Sequence, residues 1–146
     1  MATVEQIQLK VQKLLQKSGS VTVNQDGSIT FKFGSSAVVL NCVDWGDGDV
    51  LIDASAAVAF NVPYSDELCA DLLLNRRMDM GAWMVYKNED NPKLCNVFFD
   101  VRILGNDVDE RELMLAIQCA GQSGDQHDDQ IVARFGGERV EDIRQS

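Results

Sequence analysis

The sequence predicts an α+β domain in which helices pack on an antiparallel sheet of about five strands, in the order α-β-β-β-α-β-β-α. Apolar residues recur at helical spacing near the start of the chain and again after residue 107. Between these segments, apolar and polar residues alternate with a period of two, which is typical of half-buried strands. Turn signals separate the alternating runs, so antiparallel strands joined by tight turns are the simplest arrangement.

Length and charge limit the classes of protein that fit. A chain of 146 residues suits one domain, spanning 1–146. The net charge of −10 argues against a nucleic-acid or anionic-membrane partner, since phosphate binding needs clustered Lys and Arg. The acidity either keeps the protein soluble or presents carboxylates to a basic partner. The N-terminus lacks the charged-then-apolar order of a signal peptide, so we expect a cytoplasmic protein.

The first helix is predicted over residues 3–17, where Gln and Lys occupy the face opposite a narrow apolar stripe. Gly19 follows as a stop signal. The stripe consists of Val4, Ile7, Val11, Leu14 and Leu15.

Three strands are predicted next. Residues 24–27 (NQDG) form a turn signal, and apolar and polar residues alternate after it. Residues 36–44 are apolar enough for a central strand, and residues 50–60 place alternate apolar side chains on one face.

The acidic stretch between the second and third of these strands (DWGDGD, 44–49) raises the question of a cation site. A calcium-binding loop needs oxygen ligands at positions 1, 3 and 5, glycine at 6 and glutamate at 12, and neither Asp44 nor Asp47 starts a register that meets this. Asp and Gly are also the residues that a hairpin turn requires. We therefore predict a turn that binds no cation specifically.

A middle helix and a second hairpin follow. Ser65 caps the helix after Pro63, with Leu68, Leu72 and Leu73 expected on its buried face. Residues 81–87 and 94–104 then form two strands joined by residues 88–92.

The last helix is expected to begin at a cap formed by Asp107 or Asp109 and to run to Arg134, before Gly136-Gly137. Small residues in the middle of its packing stripe, Ala120 and Gly124, allow a close approach to the sheet or another helix. Gly121 and Gly124 also lower the helix propensity, which would permit a break near Ser123.

No catalytic, cofactor or metal motif is present. The single histidine, His127, has no second acid–base or metal-binding partner, and no phosphate-binding glycine loop or nucleophile motif exists. The four cysteines stand alone rather than in C-x-x-C pairs, so we expect them to be reduced and inert. The sequence therefore favours a binding protein over an enzyme.

Several segments together resemble the YbjN-like family, which shares its fold with the class I type III secretion chaperones. The resemblance covers nearly the whole chain. It is carried by "VLIDASAAVAFNVP", "SDELCADLLLNRRM", "NVFFDVRILGNDVDERELMLAI" and "ARFGG".

The resemblance implies a small, acidic, often dimeric bacterial protein that binds other polypeptides and catalyses nothing. A chaperone-like or regulatory peptide-binding module is the leading hypothesis. The alternative is a regulatory domain that senses a small molecule in a pocket between the sheet and the long helix. A peptide binder should show an open apolar patch or a free strand edge, whereas a sensor should show a closed apolar pocket.

Some apolar residues are not expected to be buried in the core of a single chain. We predict that they form the partner surface, which either a client polypeptide or a second copy of the chain would cover. Phe98 alternates onto a face with Asn96, Asp100 and Arg102, and one of Trp83 and Met84 must also point away from the core. The first helix lies near a terminus. The predicted partner-binding residues are Val4, Ile7, Val11, Trp83, Met84 and Phe98.

Overall fold

The computed structural model describes residues 2–17 and 21–144, which form one six-stranded antiparallel sheet in the order β1-β2-β3-β4-β6-β5 with helices packed on one face. The α+β architecture is confirmed. The elements are α1 (Val4–Gln16), β1 (Val21–Val23), β2 (Ile29–Phe33), β3 (Ser36–Gly46), β4 (Asp49–Pro63), α2 (Asp66–Leu74), β5 (Ala82–Lys87), β6 (Leu94–Leu104), α3 (Glu110–Phe135) and α4 (Val140–Arg144).

Strand β1 and helix α4 were not predicted. Strand β1 pairs with β2 across the predicted turn, where the Ser28 amide and hydroxyl both donate to the Asp26 carboxylate. Three residues are too few for alternation to mark a strand. Helix α4 has only five residues, and the segment before it pairs with β4 through Phe60 and Glu138.

Helix α1 begins with a capping box, in which the Thr3 hydroxyl accepts from the Gln6 amide and the Gln6 side chain accepts from the Thr3 amide. Ile7 and Val11 lie fully in the core. The expectation that these two residues leave apolar surface on the first helix is therefore wrong, because Ile7, Val11 and Leu15 pack into the core; Val4, at the start of the same stripe, is only half-buried. Gly19 lies outside the described residues.

Helix α2 buries Leu68 and Leu72 but not Leu73, whose side chain is 71% exposed. The prediction for Leu73 was wrong because Asp71, three residues after Leu68, occupies the buried stripe instead. Leu73 is rotated by about 100° from Leu72 and points to solvent.

Helix α3 is continuous, so the possible break near Ser123 does not occur; Asp109 caps it by accepting from the Glu112 amide. The two glycines instead allow contact with the sheet. A Cβ on Gly121 would lie 2.6 Å from the Phe33 ring, and one on Gly124 would lie 2.9 Å from the Ser36 hydroxyl. The predicted close approach is confirmed.

The acidic stretch before β4 is a turn, as predicted: Asp47 (φ 56°) and Gly48 (φ 82°) join β3 to β4. Positive φ at both central residues is typical of a two-residue hairpin turn. No helix within the described ranges is long and apolar enough to cross a membrane.

Candidate functional site

One edge of the sheet is only partly covered. Strand β5 is the last strand, and it pairs with β6 from Lys87 opposite Cys95 to Ala82 opposite Asp100. Strand β6 continues to Leu104, so its last four residues have β4 on one side and, among the described residues, no strand on the other. We call this open edge, Val101–Leu104, the notch.

The backbone groups that face the notch follow from the strand geometry. The Gly105 amide donates to the Val50 carbonyl of β4 at 2.7 Å. Because N–H and C=O groups of an antiparallel strand point to alternate sides, Ile103 and Val101 also face β4. Arg102 and Leu104 therefore present their N–H and C=O groups to the notch.

The segment between α2 and β5 explains why β5 begins late. Gly81 has a φ of +93°, and a Cβ there would lie 2.6 Å from the Asp100 carbonyl oxygen. The chain turns into the sheet at this glycine, and within the described residues no backbone hydrogen bond joins residues 75–81 to the notch. Among the described residues, the edge groups of Arg102 and Leu104 consequently have no backbone hydrogen-bond partner.

Apolar grooves flank the notch on both faces of the sheet, and Met80 lines both. On the helix side, a groove of about 350 Å³ has four apolar side chains and two carboxylates around it. On the outer face, a groove of about 270 Å³ lies beside Met84 and Arg102. The residues around the helix-side groove are Met80, Ile103, Leu104, Asp107, Glu112 and Leu115.

The outer face of the sheet carries aromatic side chains where β5 pairs with β6. The Phe98 ring contacts Phe60 and Tyr86 edge-on, with centroid distances of 5.9 and 5.6 Å. Met84 lies directly opposite Phe98 in the β5–β6 register. The predicted residues Met84 and Phe98 are therefore neighbours on one uncovered face.

The other predicted residues lie elsewhere. Trp83 faces the helices, where its ring contacts Phe99 at 5.0 Å and its indole N–H donates to the Arg76 carbonyl at 2.8 Å. Val4 is half-buried at the start of α1, beside the β3–β4 turn. Trp83 and Val4 thus do not join Met84 and Phe98 in one surface.

A cluster of polar side chains on the outer face separates the aromatic residues from the end of β6. The Ser55 hydroxyl donates to Asp100 at 2.6 Å, and Arg102 lies 3.7 Å from Asp53 and 3.9 Å from Asp100. Burial raises the pKa of Asp53, the charge of Asp100 raises it further, and Arg102 only partly opposes both. One Asp53 oxygen is buried without a hydrogen-bond partner among the described residues.

A buried carboxylate holds the segment that leads into β5. Asp71 accepts hydrogen bonds from Asn75 at 3.0 Å, from Arg76 at 2.6 Å and from Arg134 of α3 at 2.9 Å. Burial tends to raise the pKa of Asp71, but these hydrogen bonds and the two arginine charges outweigh it and lower the pKa. The carboxylate is ionised and fixes α2 against α3.

His127 belongs to the same group of contacts. Its Nδ1 lies 2.9 Å from Arg76 Nη1, and its ring contacts Trp83 edge-on. Burial and the Arg76 charge lower the pKa of His127, and Asp71 only partly opposes them. A neutral imidazole that accepts from Arg76 has a structural role here.

The remaining candidate chemistry is limited. No group of three metal-ligating side chains occurs within residues 2–17 and 21–144. The four cysteines are free, and burial raises the pKa of Cys42 to about 11, which disfavours the reactive thiolate.

Sequence reasoning missed the notch and its apolar lining. Leu104 and Leu115 are 52% and 49% exposed, and neither lies on the apolar face predicted for its strand or helix. The two methionines Met78 and Met80, in a segment without helix or strand, were the available signal, since flexible Met side chains recur at adaptable binding surfaces.

The fold is an α+β arrangement in which β5 leaves the end of β6 uncovered among the described residues. Residues 2–143 match the family described as T3SS (YopN, CesT) and YbjN peptide-binding chaperone 1. The chain belongs to this family, as the resemblance predicted. No curated protein sequence matches the chain.

Two solved structures show the same fold. YbjN from E. coli, described as a proposed transcription regulator, has 12% identity and a TM-score of 0.61 over 84% of this chain and 92% of its own. The Yersinia pestis type III secretion chaperone SycH, solved with a stable fragment of YscM2, has 10% identity and a TM-score of 0.53 over 86% of this chain and 98% of its own.

Proposed function

We propose that this protein is a non-catalytic polypeptide-binding module that takes up an extended segment of its partner as an added strand at the notch. The observation that carries the proposal is the pair of residues Arg102 and Leu104, whose backbone N–H and C=O groups face no partner strand in the part of the chain that the structure describes. Strand addition derives affinity from main-chain hydrogen bonds and specificity from pockets for alternate side chains. The two grooves lie where those alternate side chains would enter.

Membership of a peptide-binding family supports this function. The position of His127 supports the absence of catalysis, because its ring accepts from Arg76 and packs on Trp83 rather than facing a groove. A small-molecule sensor is less well supported, since Gly121 and Gly124 bring α3 into contact with the sheet where a closed pocket would lie.

The partner in this proposal is another polypeptide or a second copy of the chain, and the compartment is the cytoplasm. Met84 would contact the partner on the outer face, where it lines the groove beside the notch, and Phe98 directly opposite Met84 would extend this contact surface. Burying such apolar surface yields roughly 25 cal/mol per Å², less the cost of association.

The test uses seven-residue peptides selected against the whole protein from a random display library. Leu104→Pro removes the N–H that faces the notch while leaving the β4–β6 ladder intact, and Leu104→Ala is its matched control. We expect Leu104→Pro to weaken peptide binding about tenfold more than Leu104→Ala does, because it removes a hydrogen bond and obstructs the added strand. Equal affinities for the two variants, both folded by circular dichroism, would exclude strand addition here.

A further inference from the structure

The helix-side groove combines an apolar floor with an acidic rim. Met80, Ile103 and Leu115 offer contacts for a large apolar side chain, and the volume of about 350 Å³ is within the range of specific ligand sites. Asp107 and Glu112 stand at the same groove, and both are exposed. An occupant would therefore meet apolar surface and negative charge together.

The negative charge extends beyond those two side chains. Asn106 accepts from the Val50 amide at 2.9 Å and donates to the Gly48 carbonyl at 2.9 Å, so the β3–β4 turn lies against the β6–α3 connection. That turn contributes Asp44, Asp47 and Asp49 to the same end of the molecule.

Positive charge at this end is sparse. Residues 105–115 contain four acids and one basic residue, Arg111. Arg102 of the notch lies at the outer groove, where Asp53 and Asp100 are 3.7 and 3.9 Å from it. The N-terminus of α3 adds only about half a positive charge. The end of the notch next to α3 is thus acidic overall, which disfavours an acidic segment and favours a cationic one.

We propose that the segment added at the notch is basic and apolar: one large apolar side chain enters the helix-side groove, and a Lys or Arg two residues away faces Asp107 and Glu112. This inference rests on the proposed strand addition. The two-residue spacing follows because alternate side chains of a strand share a face. The net charge of −10 would then serve partner selection as well as solubility.

The probes are seven-residue threonine-rich peptides with leucine at position three and lysine, glutamine or glutamate at position five, together with a lysine peptide whose leucine is replaced by alanine. Binding to the whole protein is measured by fluorescence anisotropy at low and at physiological salt. We expect the lysine peptide to bind about fivefold more tightly than the glutamine peptide, the scale of one or two exposed ion pairs. The glutamate peptide and the alanine-substituted peptide should bind more weakly still.

The variant Asp107→Asn/Glu112→Gln removes the rim charges with little change of shape. Glu89→Gln/Asp90→Asn is its control, since it removes equal charge from the β5–β6 connection at the far end of those strands. The preference for lysine should fall to less than about twofold in the rim variant and stay in the control. A preference that survives in the rim variant, or equal affinity for leucine and alanine peptides, would overturn the inference.

A backbone-methylated lysine peptide separates this inference from the proposed function. If the peptides bind and methylation abolishes binding, but lysine, glutamine and glutamate are equivalent, only the charge selection fails. If methylation leaves the affinity unchanged, strand addition fails, and the inference built on it fails too. If none of the peptides binds at millimolar concentration, both fail.

Discussion

Replacing Asp71 with alanine should destabilise the protein more than any other single carboxylate removal. The substitution deletes three hydrogen bonds from Asn75, Arg76 and Arg134. The Arg134 side chain is half exposed and can be solvated, but the Arg76 side chain is only 11% exposed and loses its carboxylate. Breaking a buried ion pair costs about 3–5 kcal/mol, and we expect about 3 kcal/mol because Arg76 keeps its bond to Gln130.

The assay is urea and thermal unfolding followed by circular dichroism. A loss of about 3 kcal/mol corresponds to roughly 6–12 °C in Tm for a domain of this size. Asp129→Ala is the matched control, since Asp129 is 71% exposed and pairs with Arg139 at the surface. It should cost no more than about 1 kcal/mol. Equal losses for the two variants would refute the assignment of Asp71 as the buried anchor.

The pH dependence gives a second readout of the same carboxylate. Because the folded state lowers the pKa of Asp71, its contribution is complete above the ordinary value of 3.8 and is lost as the pH falls through the lower folded pKa. The stability difference between the wild type and Asp71→Ala should therefore shrink below about pH 4.

Three further predictions concern the sheet face and the long helix. Asp53→Asn should stabilise the protein by about 0.5–1 kcal/mol at pH 7, measured by urea unfolding. The raised pKa of Asp53 reflects burial and the Asp100 charge, and the amide of asparagine can donate to Asp100. A loss of stability would contradict this. Because the pKa of His127 is lower in the folded state, the unfolded state is protonated at a higher pH than the folded state, and the stability of the protein should fall as the pH drops below 6.5. The variant His127→Gln should show a smaller fall in a profile of Tm against pH. Gly121→Ala should cost about 1–2 kcal/mol, since overpacking against Phe33 exceeds the gain in helix propensity; a stabilised variant would show that Phe33 can move aside.

Long elements with consistent periodicity could be predicted from the sequence. The alternation in residues 94–104 correctly placed Phe98 on the face with Asp100, because side-chain direction in a strand depends only on counting by two. The glycines in α3 suggested either a break or a close approach. The sequence does not distinguish between these two outcomes. The close approach depends on Phe33 of β2, which lies against Gly121 only in the folded structure.

The notch could not be predicted because it depends on the lengths of two paired strands. Nothing local in residues 94–104 indicates that β5 begins opposite Asp100 and leaves Leu104 uncovered. In the same way, no local feature of α1 shows that Ile7 and Val11 are covered by the sheet. Helical periodicity gives the direction of a side chain but not the element that covers it.

Amide hydrogen exchange by NMR, with and without a selected peptide, tests strand addition most directly. The amides of Arg102 and Leu104 should exchange quickly in the free protein and become protected when peptide is bound. The amide of Ile103 already faces β4 and should change little. Saturating peptide binding that leaves exchange at Arg102 and Leu104 unchanged would contradict the account, because the partner would then be held without extending the sheet.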